Sequence, residues 1–173
     1  MADIRAGGPA GVGAPFDPER LIAVLAEHKV RFILIGALGA RLQGFPRLTA
    51  DAKITPSRDE ENLERLSAAL QALGARVFTE SVPDGLEFDC NARALARAEL
   101  WNFVTSAGRL DIAFTPSGTT GYDDLVRGAL RFDVNGISLE VARLEDIIRS
   151  KEAADRAQDR QDVIVMREML ARR

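Results

Sequence analysis

Across 173 residues the chain has one cysteine, one histidine, one tryptophan and one tyrosine. A lone thiol, Cys90, excludes an internal disulfide and suits a reducing compartment, so the expected location is cytoplasmic. One His and one Cys cannot furnish a zinc site. Cys90 reads as a small, partly buried residue with no base beside it, and His28 as a surface or packing residue late in a helix. Positive charge is also short: the formal net charge is −3. No global basic field therefore draws nucleic acid, and such a partner would need a local patch. No apolar run approaches the roughly 20 residues that a membrane span requires, so no membrane partner is expected. Residues 1–15 are rich in Gly, Ala and Pro without the basic and apolar blocks of a signal peptide. They read as a flexible arm ahead of a single domain, 16–173.

The composition that remains, 46% apolar and 28% charged, is that of a soluble globular domain large enough to bury a core unaided. Asp17-Pro18 opens a helix, as N-cap and first-turn proline, with Leu21, Ile22, Val24 and Leu25 as its apolar stripe. Residues 31–35 form a short continuous apolar run ending in glycine, a buried strand, and 36–43 fit a helix. A second strand is expected over 48–54, stopped by Pro56, and a helix over 58–73 capped by Ser57 and ended by Gly74. Strands follow at 75–79, 100–105 and 109–114. Between the first two lies a polar stretch, 80–91, readable as loop or peripheral hairpin.

After the loop 116–121, a short helix is expected at 122–128. Asn135-Gly136 marks a hairpin of 130–135 with 137–142. Helices at about 144–154 and 156–171 close the chain. No internal repeat is present. This order predicts an α/β (α+β) domain with a mixed central sheet flanked by helices.

The densest chemistry lies between Ile35 and Pro56. A glycine turn, Gly36-Ala37, follows a strand, and Asp51 stands on the next one. Residues i and i+2 of a strand face the same side, so Asp51 and position 53 share a surface on which two carboxylates could hold a cation together. Position 53 is Lys. Asp111, in the apolar stretch Arg109-Leu-Asp-Ile-Ala113, is the natural third acid, because an unpaired carboxylate there would be costly. Magnesium takes oxygen ligands, and phosphoryl transfer uses it to neutralise triphosphate. Glycine at 36 lets the backbone approach phosphate, and N–H groups at the following helix start favour anionic oxygens.

Ile35-Gly-Ala-Leu-Gly-Ala40, Gly44-Phe-Pro-Arg-Leu-Thr-Ala-Asp51, the strand bearing Asp111 and the run from Ile147 to Asp162 together resemble the DNA polymerase β superfamily of minimal nucleotidyltransferases. Within it the resemblance is to the AbiEii/MenT-like group, which includes toxins of bacterial toxin–antitoxin pairs. The similarity spans roughly residues 17–170.

It implies a polymerase-β-like nucleotidyltransferase fold, an NTP substrate, Mg²⁺ as cofactor, RNA (tRNA foremost) as acceptor and an antitoxin protein as partner. By resemblance Gly36 and Ala37 form the triphosphate-facing turn, Asp51 and Asp111 ligate metal, and Asp111 also activates the acceptor hydroxyl. Arg47 and Lys151 hold phosphates, and Thr49 sets its hydroxyl beside Asp51. Asp159 and Asp162 orient Lys151 or Arg47.

Lys53 departs from the pattern at the second metal-binding Asp. An ammonium cannot ligate Mg²⁺, and it is expected to pair with Asp51 or Asp111 and occupy the cation's place. The expected consequence is a transferase impaired or abolished by Lys53. The alternatives are a catalytically dead nucleotide-binding or protein-interaction module, or a transferase acting on a protein or small-molecule hydroxyl. Plainer readings exist as well. Asp51 and Lys53 would make an exposed ion pair on an edge strand, Asp111 a carboxylate satisfied by turn amides, and Lys151 a solvated lysine. Arg156, Arg160 and Arg167 share one helical face, either solvated or tracking an RNA backbone. Trp101 and Phe103 alternate on a strand as core or interface residues.

Overall fold

The computed structural model describes residues 14–173, so nearly all of the expected N-terminal arm lies outside the described residues. Helix α1 (Pro18–Glu27) starts where Asp17 accepts a hydrogen bond from the Arg20 amide, and buries Leu21, Ile22 and Leu25. Strand β1 (Phe32–Ile35) is buried at every position. Its Phe32 and Leu34 join one apolar cluster while Ile33 and Ile35 join the other. A strand covered on both faces must be apolar throughout, which is why this segment shows no alternation. Helix α2 (Gly36–Leu42) follows directly. Its Gly39 is closely packed: an added Cβ would sit 3.1 Å from the Leu34 carbonyl oxygen and 3.2 Å from Val141 Cγ1, so its neighbours would have to give slightly.

Strand β2 spans Asp51–Pro56, three residues later than the expected start and two beyond the expected end. Pro56 is its last residue, opposite Phe32 of β1, where a missing N–H interrupts nothing further along. Helix α3 (Glu60–Ala72) also starts later than expected. Asp59, not Ser57, is its cap, accepting from the Asn62 amide, while the Ser57 hydroxyl donates to Asp59. Asn62 is fully buried. Its side chain accepts from the Arg31 amide and donates to the carbonyls of Arg31 and Ser57, locking α3 to the entry of β1.

Strands β3 (Arg76–Thr79) and β4 (Val82–Leu86) form the peripheral hairpin, and a short helix α4 (Ala92–Leu95) that the sequence pattern did not indicate leads on to β5 (Leu100–Thr105) and β6 (Gly108–Ala113). Helix α5 (Tyr122–Leu125) runs into a 3₁₀ turn. β7 (Leu130–Val134) and β8 (Ile137–Val141) then pair across Asn135-Gly136, both at positive φ. Helices α6 (Leu144–Ala154) and α7 (Ala157–Ala171) end the chain. The eight strands make one mixed sheet in the order β4-β3-β5-β6-β2-β1-β8-β7, parallel at β2–β6 and β1–β8 and antiparallel elsewhere.

The two faces differ. Ala52, Ile54, Phe103, Leu110 and Ile112 face α1, α3 and α4 in the larger core. On the other face α6 and α7 cover β1 through Ile147, Ile148, Val163 and Met166. Asp51, Lys53, Arg109 and Asp111 project from β2 and β6 on this second side, beside that cover. The fold leaves a polar floor there, open at the edge of two terminal helices.

Candidate functional site

In the parallel β2–β6 pair, Asp51 lies opposite Arg109 and Lys53 opposite Asp111. The alternation of strands puts all four side chains on one face. The floor is thus a two-by-two array with opposite charges across each rung, and its formal charges cancel. Beside it, Gly36 bends at φ +68°, and a Cβ there would lie 3.5 Å from the Lys53 Cβ. Ile35 pairs with Lys53 in the β1–β2 register, which sets this bend over the floor.

A cleft of about 960 Å³ opens above, lined by Gly36, Ala37, Arg47, Thr49, Asp51, Lys53, Asp111, Lys151 and Asp159, among others. Every residue that the sequence singled out for nucleotide or metal therefore reaches one cavity. The edge-strand reading of Asp51 and Lys53 does not hold, because β2 is an interior strand of the sheet.

Asp111 bears the strain of the site. Its Oδ1 is buried with no hydrogen-bond partner among the described residues, and turn amides do not satisfy it. Burial, and then the nearby Asp51 carboxylate, push its carboxyl above the usual carboxylate range, against the opposing pull of Lys53 and Arg109. The expected close ion pair of Lys53 does not form. Among the described residues no carboxylate oxygen lies within 4.0 Å of its ammonium, although Asp111 stands directly opposite on β6. Arg109 makes the nearest approach to Asp111, at 3.9 Å. The Arg109 guanidinium stacks 3.6 Å from the centroid of Phe78, and its Nε is buried without a partner among the described residues. Thr49 Oγ1 donates to Asp51 Oδ1 at 2.9 Å, fixing that carboxylate from the loop before β2.

The wall is a second, fully paired network. Asp162 accepts from Arg47 Nε at 2.9 Å and Nη2 at 2.7 Å, a bidentate grip, and also from Lys151 and Gln158. Lys151 Nζ also donates to Asp159 at 3.0 Å, and the second Asp159 oxygen takes the amide and Nε of Arg156. Burial alone would raise both carboxyls. The hydrogen bonds from Arg47, Lys151 and Gln158 to Asp162, and from Arg156 and Lys151 to Asp159, outweigh it and hold both below the usual range. The solvated reading of Lys151 is thereby excluded. Asp159, expected to orient Lys151 or Arg47 beside the nucleotide, has both oxygens committed to Lys151 and Arg156, so it positions those two cations and has little left for a ligand. Arg47 likewise spends its fork on Asp162.

The arginine stripe resolves into local pairs. Arg156 bonds Asp159, Arg160 bonds Asp155, and Arg167 bonds Glu152. Trp101 and Phe103 stack on each other and on Phe88, inside the larger core. Cys90 lies against that core, and burial pushes its thiol up to about 11. Arg109 was missed as a site residue although its parity with Asp111 shows in the sequence. The exposed Leu48 and Leu100 at the cleft, 77% and 61% accessible, had no sequence signal of their own.

Magnesium does not fit this floor as a resident ion. Asp51 and Asp111 supply carboxylates, but the third position is an ammonium. Among the described residues no group of three acidic, His or Cys side chains converges to hold a metal. The orphaned oxygen of Asp111 calls for a positive partner; Arg109 comes to 3.9 Å of it and Lys53 stands across the rung.

No family model matches the sequence, and no curated protein matches it either. Solved structures do. LnuA, a lincosamide antibiotic adenylyltransferase with lincomycin bound, superposes with a TM-score of 0.59 at 12% identity, over 90% of this chain and 99% of that one. ANT(2'')-Ia, an antibiotic-resistance factor in complex with adenylyl-2''-tobramycin, gives 0.55 at 15% identity, covering 88% of this chain and 87% of its own. A Thermotoga maritima protein assigned as a nucleotidyltransferase gives 0.50 at 17% identity, over 92% and 98%. At these identities the likeness establishes the fold: the chain has the nucleotidyltransferase fold over most of its length. Among the described residues no helix is long and apolar enough to cross a membrane.

Proposed function

We propose that the cleft binds a nucleoside triphosphate, and that transfer of its nucleotidyl group to an acceptor hydroxyl is impaired or abolished by Lys53. The observation that supports this reading most directly is the convergence of Asp51, Lys53 and Asp111 beside the Gly36 bend. Two carboxylates share this face with Lys53, which occupies the position where the resemblance expects a third acid. Gly36 admits phosphate close to the backbone, and Lys151, held by Asp159 and Asp162, presents positive charge at the wall. Asp111, its carboxyl pushed up, is the group placed to accept an acceptor's proton.

The resemblance favours RNA, tRNA above all, as acceptor and a toxin–antitoxin setting. A small hydroxyl compound is the reading that two observations favour instead. Arg156, Arg160 and Arg167 are each paired to a carboxylate, which offsets the charge they would offer a phosphate backbone. Leu48 and Leu100 also give the cleft exposed apolar surface, as a compact organic acceptor would use. The solved neighbours bound to lincomycin and to adenylyl-tobramycin have acceptors of that kind.

Incubation of the protein and of Lys53→Asp with labelled NTPs, Mg²⁺ and either total RNA or a panel of hydroxylated small molecules tests both points. Slow or absent transfer by the parent chain and transfer by Lys53→Asp is the expected result. A folded Lys53→Asp that neither transfers nor binds any NTP sinks the reading, and labelled RNA from either protein overturns the small-acceptor choice.

A further inference from the structure

The floor differs from a metal-binding floor in sign as well as in ligands. Three carboxylates in one place repel one another and require cations before a triphosphate can approach. Here the two carboxylates are offset across their rungs by Lys53 and Arg109. Lys53 is set beneath the Gly36 bend, where its Cβ would touch any side chain added there. The Arg109 guanidinium lies over the Phe78 ring, 3.6 Å from its centroid. Its Nε has no partner among the described residues, and its nearest carboxylate contact, at 3.9 Å, is too long for a hydrogen bond. A planar donor fork already immobilised by stacking loses little freedom on binding a phosphate. Both cations belong to the cleft lining.

We infer that Lys53 and Arg109 take the place of divalent metal, so that the cleft binds nucleoside triphosphate directly and without Mg²⁺. This rests on the nucleotide reading of the cleft. Lys53 contacts the phosphates nearest the Gly36 bend, and the Arg109 fork binds an oxygen on the β6 side. Asp51 and Asp111, across their rungs, offset the charge of both cations without hydrogen-bonding to either. Binding of this kind involves no bond making, and it fits a chain that retains nucleotide while transferring it poorly.

The test is equilibrium binding of ATP, GTP, CTP and UTP to the full chain by calorimetry, once in EDTA and once with Mg²⁺. At least one nucleotide is expected to bind in EDTA with an affinity within a few-fold of that in Mg²⁺. Lys53→Gln and Arg109→Gln are each expected to weaken binding in EDTA by roughly tenfold or more, the size of a charge-assisted hydrogen bond. Lys53→Asp is expected to bind only when Mg²⁺ is added. Circular dichroism confirms that each variant is folded, and the wild-type measurement stands without them. Binding by the parent chain only in Mg²⁺ overturns the inference and leaves the nucleotide cleft standing. No binding under either condition overturns both. Folded Gln variants that bind in EDTA as tightly as the parent overturn it as well.

Discussion

Lys53 and Asp111 stand opposite each other across the parallel β2–β6 pair, with the Gly36 bend directly over the lysine. Each makes the other tolerable: the carboxylate has a buried, unsatisfied oxygen, and the ammonium is the charge across the rung from it. Replacing Lys53 by Asp turns this attraction into repulsion among three acids on one face. Cross-strand pairs are worth roughly 0.2–1 kcal/mol each way, and partial burial enlarges them. Lys53→Asp is therefore expected to cost about 1–2 kcal/mol without metal, which lowers the melting temperature by roughly 2–8 °C in a domain of this size. Added Mg²⁺ should recover that loss, because a ligand of the folded state raises its stability with concentration. The parent chain should melt at the same temperature with and without Mg²⁺. Thermal scans over a Mg²⁺ series check both halves, and an equal Mg²⁺ response from the two proteins refutes the argument.

The wall network is expected to be worth more than the floor. Asp162, 2% exposed, neutralises Arg47 and Lys151 together. Truncating one side of a buried ion pair leaves charge unpaired, at a cost of about 3–5 kcal/mol. Arg47 remains 39% exposed and can be rehydrated, so Asp162→Ala is expected near the lower end, about 3 kcal/mol, in urea unfolding. Adding Arg47→Met to that variant should cost much less than Arg47→Met alone, since the shared partner is already gone. Additive losses would show that the two side chains do not act as a unit.

The carboxyls titrate in opposite senses, and this gives a pH signature. Asp159 and Asp162 are held below the usual range, so their stabilisation is present above the unfolded value of about 3.9 and is lost as pH falls through their lowered folded values. Asp111 is pushed up, first by burial and then by Asp51. Its shift favours the fold below about 3.9 and is lost as pH rises through the raised value, so ionised Asp111 is a net cost at neutral pH. Asp111→Asn is expected to melt higher than the parent at pH 7, with the gap narrowing as pH falls through the raised value and gone below about 3.9. A lower melting temperature for Asp111→Asn at pH 7 would show that Lys53 and Arg109 outweigh desolvation.

Much of this was legible because the informative residues act locally. The i, i+2 spacing fixed which side chains share the floor, the continuous apolar run of β1 announced burial on both faces, and Asn135-Gly136 specified its hairpin. The boundaries of β2 and α3 were misread where two capping residues compete. Ser57 looks like a cap, yet Asp59 accepts from the Asn62 amide while Asn62 ties the helix to β1, a contact across 31 residues that no local pattern carries. Arg109 went unrecognised for the same reason: its significance comes from Phe78, two strands away in the sheet. The intramolecular pairing of Arg160 and Arg167 depends on how the turn between α6 and α7 folds back, with Asp155 at φ +51°. From sequence alone, that stripe could equally face solvent or an RNA backbone.

Gly36 links backbone conformation to the ligand. Its φ of +68° lies in the left-handed region, and an added Cβ would rest at an ordinary contact distance of 3.5 Å from Lys53. Space is therefore not the obstacle to a side chain; conformation is. Gly36→Ala is expected to destabilise by about 1–2 kcal/mol from backbone strain, while keeping the sheet and core intact. Any ligand seated against the bend meets the new methyl group, so nucleotide affinity should fall further than stability does. Gly39→Ala supplies the contrast: at negative φ it carries no such strain, but its methyl presses on Leu34 and Val141 inside the packing of α2, away from the floor. Urea unfolding and nucleotide titration of the two variants side by side separate the effects. Equal losses of affinity from both would mean that the Gly36 bend does not touch the ligand.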